Sequence, residues 1–304
     1  GLRGEAALSP KCEVISVRIL NLTSQKDRSM ARVSLRKSYN QIRHRLARAG
    51  VPNAQREAEW LLEAVSGPVR TALALHAPKE LTEAQAATVD RLVTQRIGGR
   101  PLQYVLGNAP FFGRSFEVGP GVFIPRPETE RLTELALTHY GGGGPACDVC
   151  TGSGAVAVTF ALEKPRCPRV FAVDIDAQAL YFARRNAQRF AASGVTCIRA
   201  DLLTAFARIA GFAIITANPP YVSPAEYDSL PAEVKNYEPR LALEAQDAGT
   251  AVLRRLALSV RDVLLEGGWF ICEIGDTQGT LAADLFRTHG YADVAVKRDY
   301  TGRD

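Results

Sequence analysis

The chain has 304 residues, 46% hydrophobic and 23% charged, with 37 Lys and Arg against 32 Asp and Glu for a formal net charge of +5. That length suits two compact domains, and the composition excludes disorder, a collagen-like repeat and a disulfide mini-scaffold. The basicity is local: residues 1–48 hold 11 Lys/Arg and 3 Asp/Glu, a balance of +8, whereas residues 49–304 hold 26 and 29, a balance of −3. A solvated face or an acidic partner accounts for such a start, and the rest of the chain lacks the cationic excess that nucleic acid demands.

No apolar run approaches the ~20 residues of a membrane-spanning helix, and no charged start leads into a hydrophobic segment with a cleavage site. The expected place is therefore the cytoplasm, with no membrane partner. The Arg- and Ser-bearing, acid-poor start is also compatible with an organelle-targeting leader. Six scattered cysteines (Cys12, Cys147, Cys150, Cys167, Cys197, Cys272) suit reduced thiols. Cys147 and Cys150 form one C-x-x-C, but without a second pair or a nearby His no metal site is expected.

Residues 1–30 read as an N-terminal extension, because the only methionine is Met30; within it Glu13 to Leu22 (EVISVRILNL) has the β-branched, apolar character of a strand. Residues 31–100 read as a helical domain of about four helices. Apolar residues recur at helical spacing in Ile42 and Leu46, in Ala58, Leu61, Leu62 and Val65, and from Leu81 to Val93, with Thr82 placed as an N-cap. Residues 101–125, aromatic and Gly/Pro-rich, read as a hairpin-bearing connector. Pro127 then opens a helix running to about His139, with acids in its first turn.

From residue 126 to 304 the pattern is that of alternating strands and helices. Apolar runs at 146–150, 170–173, 195–198, 212–217 and 269–274 are separated by helical stretches such as 177–190 and 249–265. The fold class is α/β, a mostly parallel sheet covered on both faces, whose ligands bind at the carboxyl ends of the strands.

Three such ends carry chemistry. Asp148-Val149-Cys150-Thr151-Gly152-Ser153-Gly154 brings small residues and free amides to a helix start. Asp174, twenty residues after Gly154, stands where a carboxylate takes ribose hydroxyls; Asp201 and Leu202 stand where an adenine ring would be edged and packed. Helix capping by Asp174, Asp176 and Asp201 is the plainer alternative. The G-x-G-x-x-G of a dinucleotide fold is absent. Asn218-Pro219-Pro220-Tyr221 closes the fourth strand, and its two prolines stiffen the turn so that the Asn218 side-chain carbonyl and the Pro219 backbone carbonyl can be aimed at one amino group.

On these residues, with PRPETE at 125–130, AVDID at 172–176 and YEPRLAL at 237–243, the chain resembles the HemK/PrmC family over residues 33–304. The resemblance implies a Rossmann-like class I methyltransferase domain with a small N-terminal helical domain that engages its substrate. It implies transfer of a methyl group from S-adenosyl-L-methionine, leaving S-adenosyl-L-homocysteine, to the N5 amide nitrogen of the glutamine in the GGQ motif of class I peptide chain release factors. Carried over, the cofactor falls on Cys150, Thr151, Gly152, Ser153, Gly154, Asp174, Asp201, Leu202 and Asn218. The catalytic and substrate loop falls on Asn218, Pro219, Pro220 and Tyr221. Arg126 is a further candidate for holding a ligand carboxylate or carbonyl, against an ion pair with Glu128 or Glu130.

Two departures stand out. Cys150 occupies a position where the family has glycine, so an ordinary β-region backbone is expected there. The sequence given stops at Asp304 where the family continues into a final antiparallel strand: either that strand is cut off or another segment fills its slot, and residues 13–20 are the expected substitute. NPPY also suits an adenine N6 amine, but no target-reading insertion accompanies it, so no specific DNA binding is expected. A cofactor-binding module without catalysis is the third reading, and a monomer is the expected state.

Overall fold

The computed structural model describes residues 32–206 and 211–298. The extension, including residues 13–20, lies outside them. The chain starts with a two-residue clasp, β1 (Val33–Ser34) against β2 (Glu80–Leu81), which holds together the starts of α1 (Leu35–Arg48) and α4 (Glu83–Ile97). Between them lie α2 (Ala54–Ser66) and α3 (Arg70–Ala74). The apolar stripes meet in one cluster, where Leu46, Ala58, Leu61, Leu62, Val69 and Val93 are fully buried. Thr82 caps α4 in a reciprocal box with Gln85, satisfying two amides that the first turn leaves unpaired. Leu102 and Val105 of α5 (Leu102–Leu106) close the same cluster.

A hairpin follows, β3 (Asn108–Phe111) with β4 (Arg114–Glu117). Next comes α6 (Pro127–His139), whose Pro127 at the first turn forfeits an amide that would have no partner there. The main sheet is built from β5 (Ala146–Val149), β6 (Val170–Asp174), β7 (Val195–Arg199), β8 (Phe212–Ala217) and β9 (Leu264–Cys272). All are parallel, in the order β7-β6-β5-β8-β9. Neighbouring residues face opposite layers: Ile214 packs with Ala136 and Phe160, and Ile215 with Phe206 and Leu256. Central β5 is buried along its length. Helices α7 (Ala155–Glu163) and α8 (Ala177–Arg189) make the first two crossovers. The chain leaves β5 toward β6 and β7, then returns to the other side for β8 and β9. That reversal opens a crevice at the carboxyl ends of β5 and β8.

The sequence pattern overran one helix. The stretch expected helical over 249–265 holds the turn α11 (Gln246–Gly249) and then α12 (Ala251–Ser259), and β9 already begins at Leu264, paired with Phe212. Apolar Leu264 and Leu265 fit either periodicity, and the ladder with β8 decides for the strand. Among the described residues β9 pairs with β8 alone.

Two short helices, α9 (Pro224–Tyr227) and α10 (Ala232–Tyr237), follow the loop after β8. Arg96 of α4, 7% exposed, donates to Glu57 of α2 at 2.6 Å and to Glu233 of α10 at 2.6 Å. Tyr237 adds a hydrogen bond to the Gly98 carbonyl at 3.0 Å. The helical region is thereby tied to the segment that follows Asn218-Pro219-Pro220-Tyr221. The last helix is α13 (Gly279–Thr288).

Candidate active site

Residues from the ends of β5, β6, β7 and β8 line one cleft, which includes Cys150, Thr151, Gly152, Ser153, Asp174, Asp201, Leu202, Asn218, Pro220 and Tyr221. Gly154 and Pro219 do not form its wall. Gly154 instead starts α7 at φ +77, where an added Cβ would lie 3.0 Å from Ala183, so helix packing demands glycine there.

The glycine loop is shaped from beneath. Asp148, buried at the end of β5, accepts the hydroxyl protons of Thr151 at 2.6 Å and Thr216 at 2.7 Å. Burial pushes its carboxyl up to about 6, against the pull of those hydrogen bonds. The expected β-region backbone at Cys150 is wrong: its φ is +57. The chain must turn back directly after Val149 for the Thr151 amide to reach the Val173 carbonyl at 3.0 Å and the Gly152 amide to reach Asp174 Oδ2 at 2.9 Å. Packing of Cys150 onto the apolar cluster around Leu202 and Phe206 offsets a strain of about 1–3 kcal/mol. Leu202 also has positive φ, at +52.

Asp174 does not cap a helix. One of its oxygens accepts from Gly152 and the other from the Asp176 amide at 3.0 Å, and burial raises its carboxyl above the usual range. Asp176 does cap α8, accepting from the Gln178 amide at 2.9 Å. Asp201 forms an ion pair with Arg255 at 2.7 Å.

The Asn218 loop is braced by Thr129, which stands in PRPETE and lines the cleft, and by Glu273 and Gln278, which motif reading passed over. The Asn218 side-chain nitrogen donates to Thr129 Oγ1 at 3.1 Å, and Thr129 donates to Glu273 Oε2 at 2.8 Å. The Tyr221 hydroxyl donates to Glu273 Oε1 at 3.3 Å. Gln278 donates to the Tyr221 carbonyl at 3.2 Å while its own oxygen accepts from the Gly275 amide at 3.0 Å. Burial raises both the Tyr221 hydroxyl and the Glu273 carboxyl above their ordinary ranges. Neither Asn218 Oδ1 nor the Pro219 carbonyl accepts a hydrogen bond from any described residue. Two acceptors at one loop therefore stay available.

Arg126 has a partner distant in the chain. It is ion-paired with Glu238, its guanidinium lies 4.8 Å from the centre of the Phe123 ring, and Glu238 also accepts from the Ile124 amide at 3.1 Å. Glu130 is instead occupied by the Phe112 amide at 2.8 Å. The PRPETE and YEP segments thus meet each other, and the arginine orders the cleft's edge. Asn186 of α8 was likewise missed: it exchanges hydrogen bonds with Glu117 and donates to the Ser153 carbonyl at 2.9 Å, stitching the hairpin to the glycine loop. The signal for Glu273 was a carboxylate ending an apolar run, and for Asn186 an amide on the buried stripe of α8. Among the described residues no three His, Cys, Asp or Glu gather as metal ligands.

A parallel sheet in this order, with a glycine loop after the first strand, an acid after the second and NPPY after the fourth, defines a Rossmann-like class I methyltransferase. Residues 38–107 match the family model described as PrmC N-terminal domain, and residues 116–234 match the methyltransferase small domain. The chain is 39% identical to the release factor glutamine methyltransferase of Koribacter versatilis over 80% of this chain and 87% of the relative. It is 35% identical to that of Geobacter sulfurreducens over 89% and 94%, and 36% identical to that of Escherichia coli over 81% and 88%. The chain belongs to the release factor glutamine methyltransferase family.

Proposed function

We propose that this protein methylates the N5 amide nitrogen of the glutamine in the GGQ motif of class I peptide chain release factors, with S-adenosyl-L-methionine as donor. The observation that carries the reading is the pair of carbonyls at Asn218 and Pro219 that accept no hydrogen bond from a described residue, in the loop whose Asn218, Pro220 and Tyr221 line the cleft. The cleft fits that cofactor. Asp174 has two oxygens already oriented by backbone amides and lone pairs left for ribose hydroxyls, while Ile175, Leu202 and Val252 supply apolar wall and Asp201 a polar edge. Cys150 to Ser153 bring the backbone close to the ligand, and Gly154 starts the helix behind them. When bound, the cofactor supplies an electrophilic sulfonium methyl group and leaves as S-adenosyl-L-homocysteine.

An amide nitrogen is a poor nucleophile because its lone pair is delocalised into the carbonyl. Asn218 Oδ1 and the Pro219 carbonyl accept its two N–H bonds, fix the nitrogen toward the cofactor, and favour the positive charge that develops on it. Pro220 holds the turn rigid, and the Tyr221 ring packs on the flat amide while Glu273 holds its hydroxyl. Glu273 does not line the cleft, so the proton leaves to water after transfer. The relatives' activity supports glutamine over the adenine N6 reading. No described helix is long and apolar enough to cross a membrane. The proposal includes action in the cytoplasm as a single chain.

Replacement Asn218→Ala tests it. Methylation is expected to fall by about 10²-fold or more, and cofactor affinity by less than about tenfold, since one acceptor is lost only to the amide. Retained turnover would refute the amide clamp.

A further inference from the structure

We infer that Glu273 is a positioning residue that sets which way the Asn218 amide faces, acting through the Thr129 hydroxyl. The inference rests on reading Asn218 as the amide clamp. An asparagine side chain presents an acceptor on one side and two donors on the other, and only the acceptor suits a substrate N–H. The chain of hydrogen bonds decides between them. Thr129 has one hydroxyl proton. Both Glu273 oxygens accept, Oε2 from Thr129 at 2.8 Å and Oε1 from Tyr221 at 3.3 Å, so that proton goes to Glu273 and Thr129 Oγ1 is left to accept. The Asn218 group 3.1 Å from Thr129 must then be the NH2, which leaves Oδ1 for the cleft. A buried carboxylate thus imposes polarity on an amide it orders from behind.

The backbone fixes all three partners in place. The Glu273 amide donates to the Ala217 carbonyl at 2.9 Å, immediately before Asn218, continuing the β8–β9 ladder that pairs Ala217 with Cys272. Thr129 sits in the first turn of α6 and is 5% exposed. Burial and nearby Glu128 oppose the Glu273 charge, while the Thr129 and Tyr221 hydroxyls that donate to it favour it. Losing the carboxylate frees the Thr129 proton to donate to Asn218 Oδ1. The amide can then turn, and it meets the substrate donor to donor.

The test measures release factor turnover, cofactor affinity by calorimetry, and inhibition by a release factor whose acceptor glutamine is replaced by glutamate. Glu273→Leu and Thr129→Val are each expected to lower kcat by about 10²-fold while cofactor affinity stays within about threefold. Thr129→Ser keeps the hydroxyl and is expected to recover kcat to within about fivefold of the parent. The parent should bind the glutamate form at least about tenfold more weakly than the glutamine form; in Glu273→Leu that ratio should collapse toward unity, because a turned amide welcomes a carboxylate. A Glu273→Leu enzyme at full kcat, beside an inactive Asn218→Ala enzyme, would overturn the positioning role alone. Loss of kcat with an unchanged glutamine-to-glutamate ratio would also overturn it, since that pattern marks a structural role. Activity retained by Asn218→Ala would instead remove the clamp on which the inference stands. Should Glu273→Leu fail to fold, the Thr129→Val and Thr129→Ser pair, measured for kcat and for the same ratio, decides the same question.

Discussion

Asp148 illustrates what a single buried acid contributes at the floor of the cleft. Its carboxyl is raised to about 6 from an ordinary 3.8, so the folded state holds its proton more tightly than the unfolded chain. The sign follows: the stabilisation is present in full below about pH 4 and is lost as pH rises through about 6, amounting to roughly 3 kcal/mol. Asp148→Asn should flatten the pH dependence of stability across that window, as read by urea unfolding at pH 4 and pH 7; an unchanged slope would reject the assignment. Legibility at this scale depended on motif context. Asn218 was readable because it ends a strand before two prolines, and Asp174 because it ends the strand twenty residues after Gly154. Glu273 and Gln278 were not, because their role comes from the β8–β9 pairing and a loop that returns to Tyr221, neither of which local sequence encodes. Arg126 was read as a ligand holder or a partner of Glu128 or Glu130, and its pairing with Glu238, 112 residues away, is not a contact that local sequence encodes.

At the scale of elements, the loop after β8 is held by other loops. Gly249, in α11 at φ +82, lies so close that an added Cβ would meet the Tyr221 carbonyl at 2.1 Å. Gly249→Ala must displace that carbonyl and strain its own backbone, at a cost of about 1–3 kcal/mol. Turnover should fall at least about tenfold with cofactor affinity largely kept, since the added Cβ meets Tyr221 and Gln278 and not the glycine loop. Kinetics beside a thermal melt check this, and unchanged kcat would show that the loop tolerates the shift. The strand cores and the start of α4 were legible in the sequence because period and capping agree there. The end of α12 and the backbone of Cys150 were not. One was settled by pairing with Phe212, the other by the reach needed to bring Gly152 to Asp174.

Across the whole molecule, the helical region and the methyltransferase sheet communicate through Arg96. This guanidinium bridges Glu57 in the helical core and Glu233 just beyond the Asn218 loop. Arg96→Ala leaves the Glu57 carboxylate, 7% exposed, without its partner, at an expected cost of about 3–5 kcal/mol. A melting temperature lowered by several degrees, with faster proteolysis between residues 97 and 102, would bear this out; an unaltered melt would not. The charge division seen in the sequence has the same geography: the basic start precedes an acidic body, and α1 carries Arg45 and Arg48 in its last turn with no acid in its first. The cleft belongs to the body without cationic excess. The most direct measurement offers the purified protein S-adenosyl-L-methionine labelled in its methyl group, with a release factor, with the same factor carrying alanine for the GGQ glutamine, and with DNA. Label on the glutamine amide nitrogen of the first alone is the predicted result. Label in the alanine variant or in DNA would contradict the account.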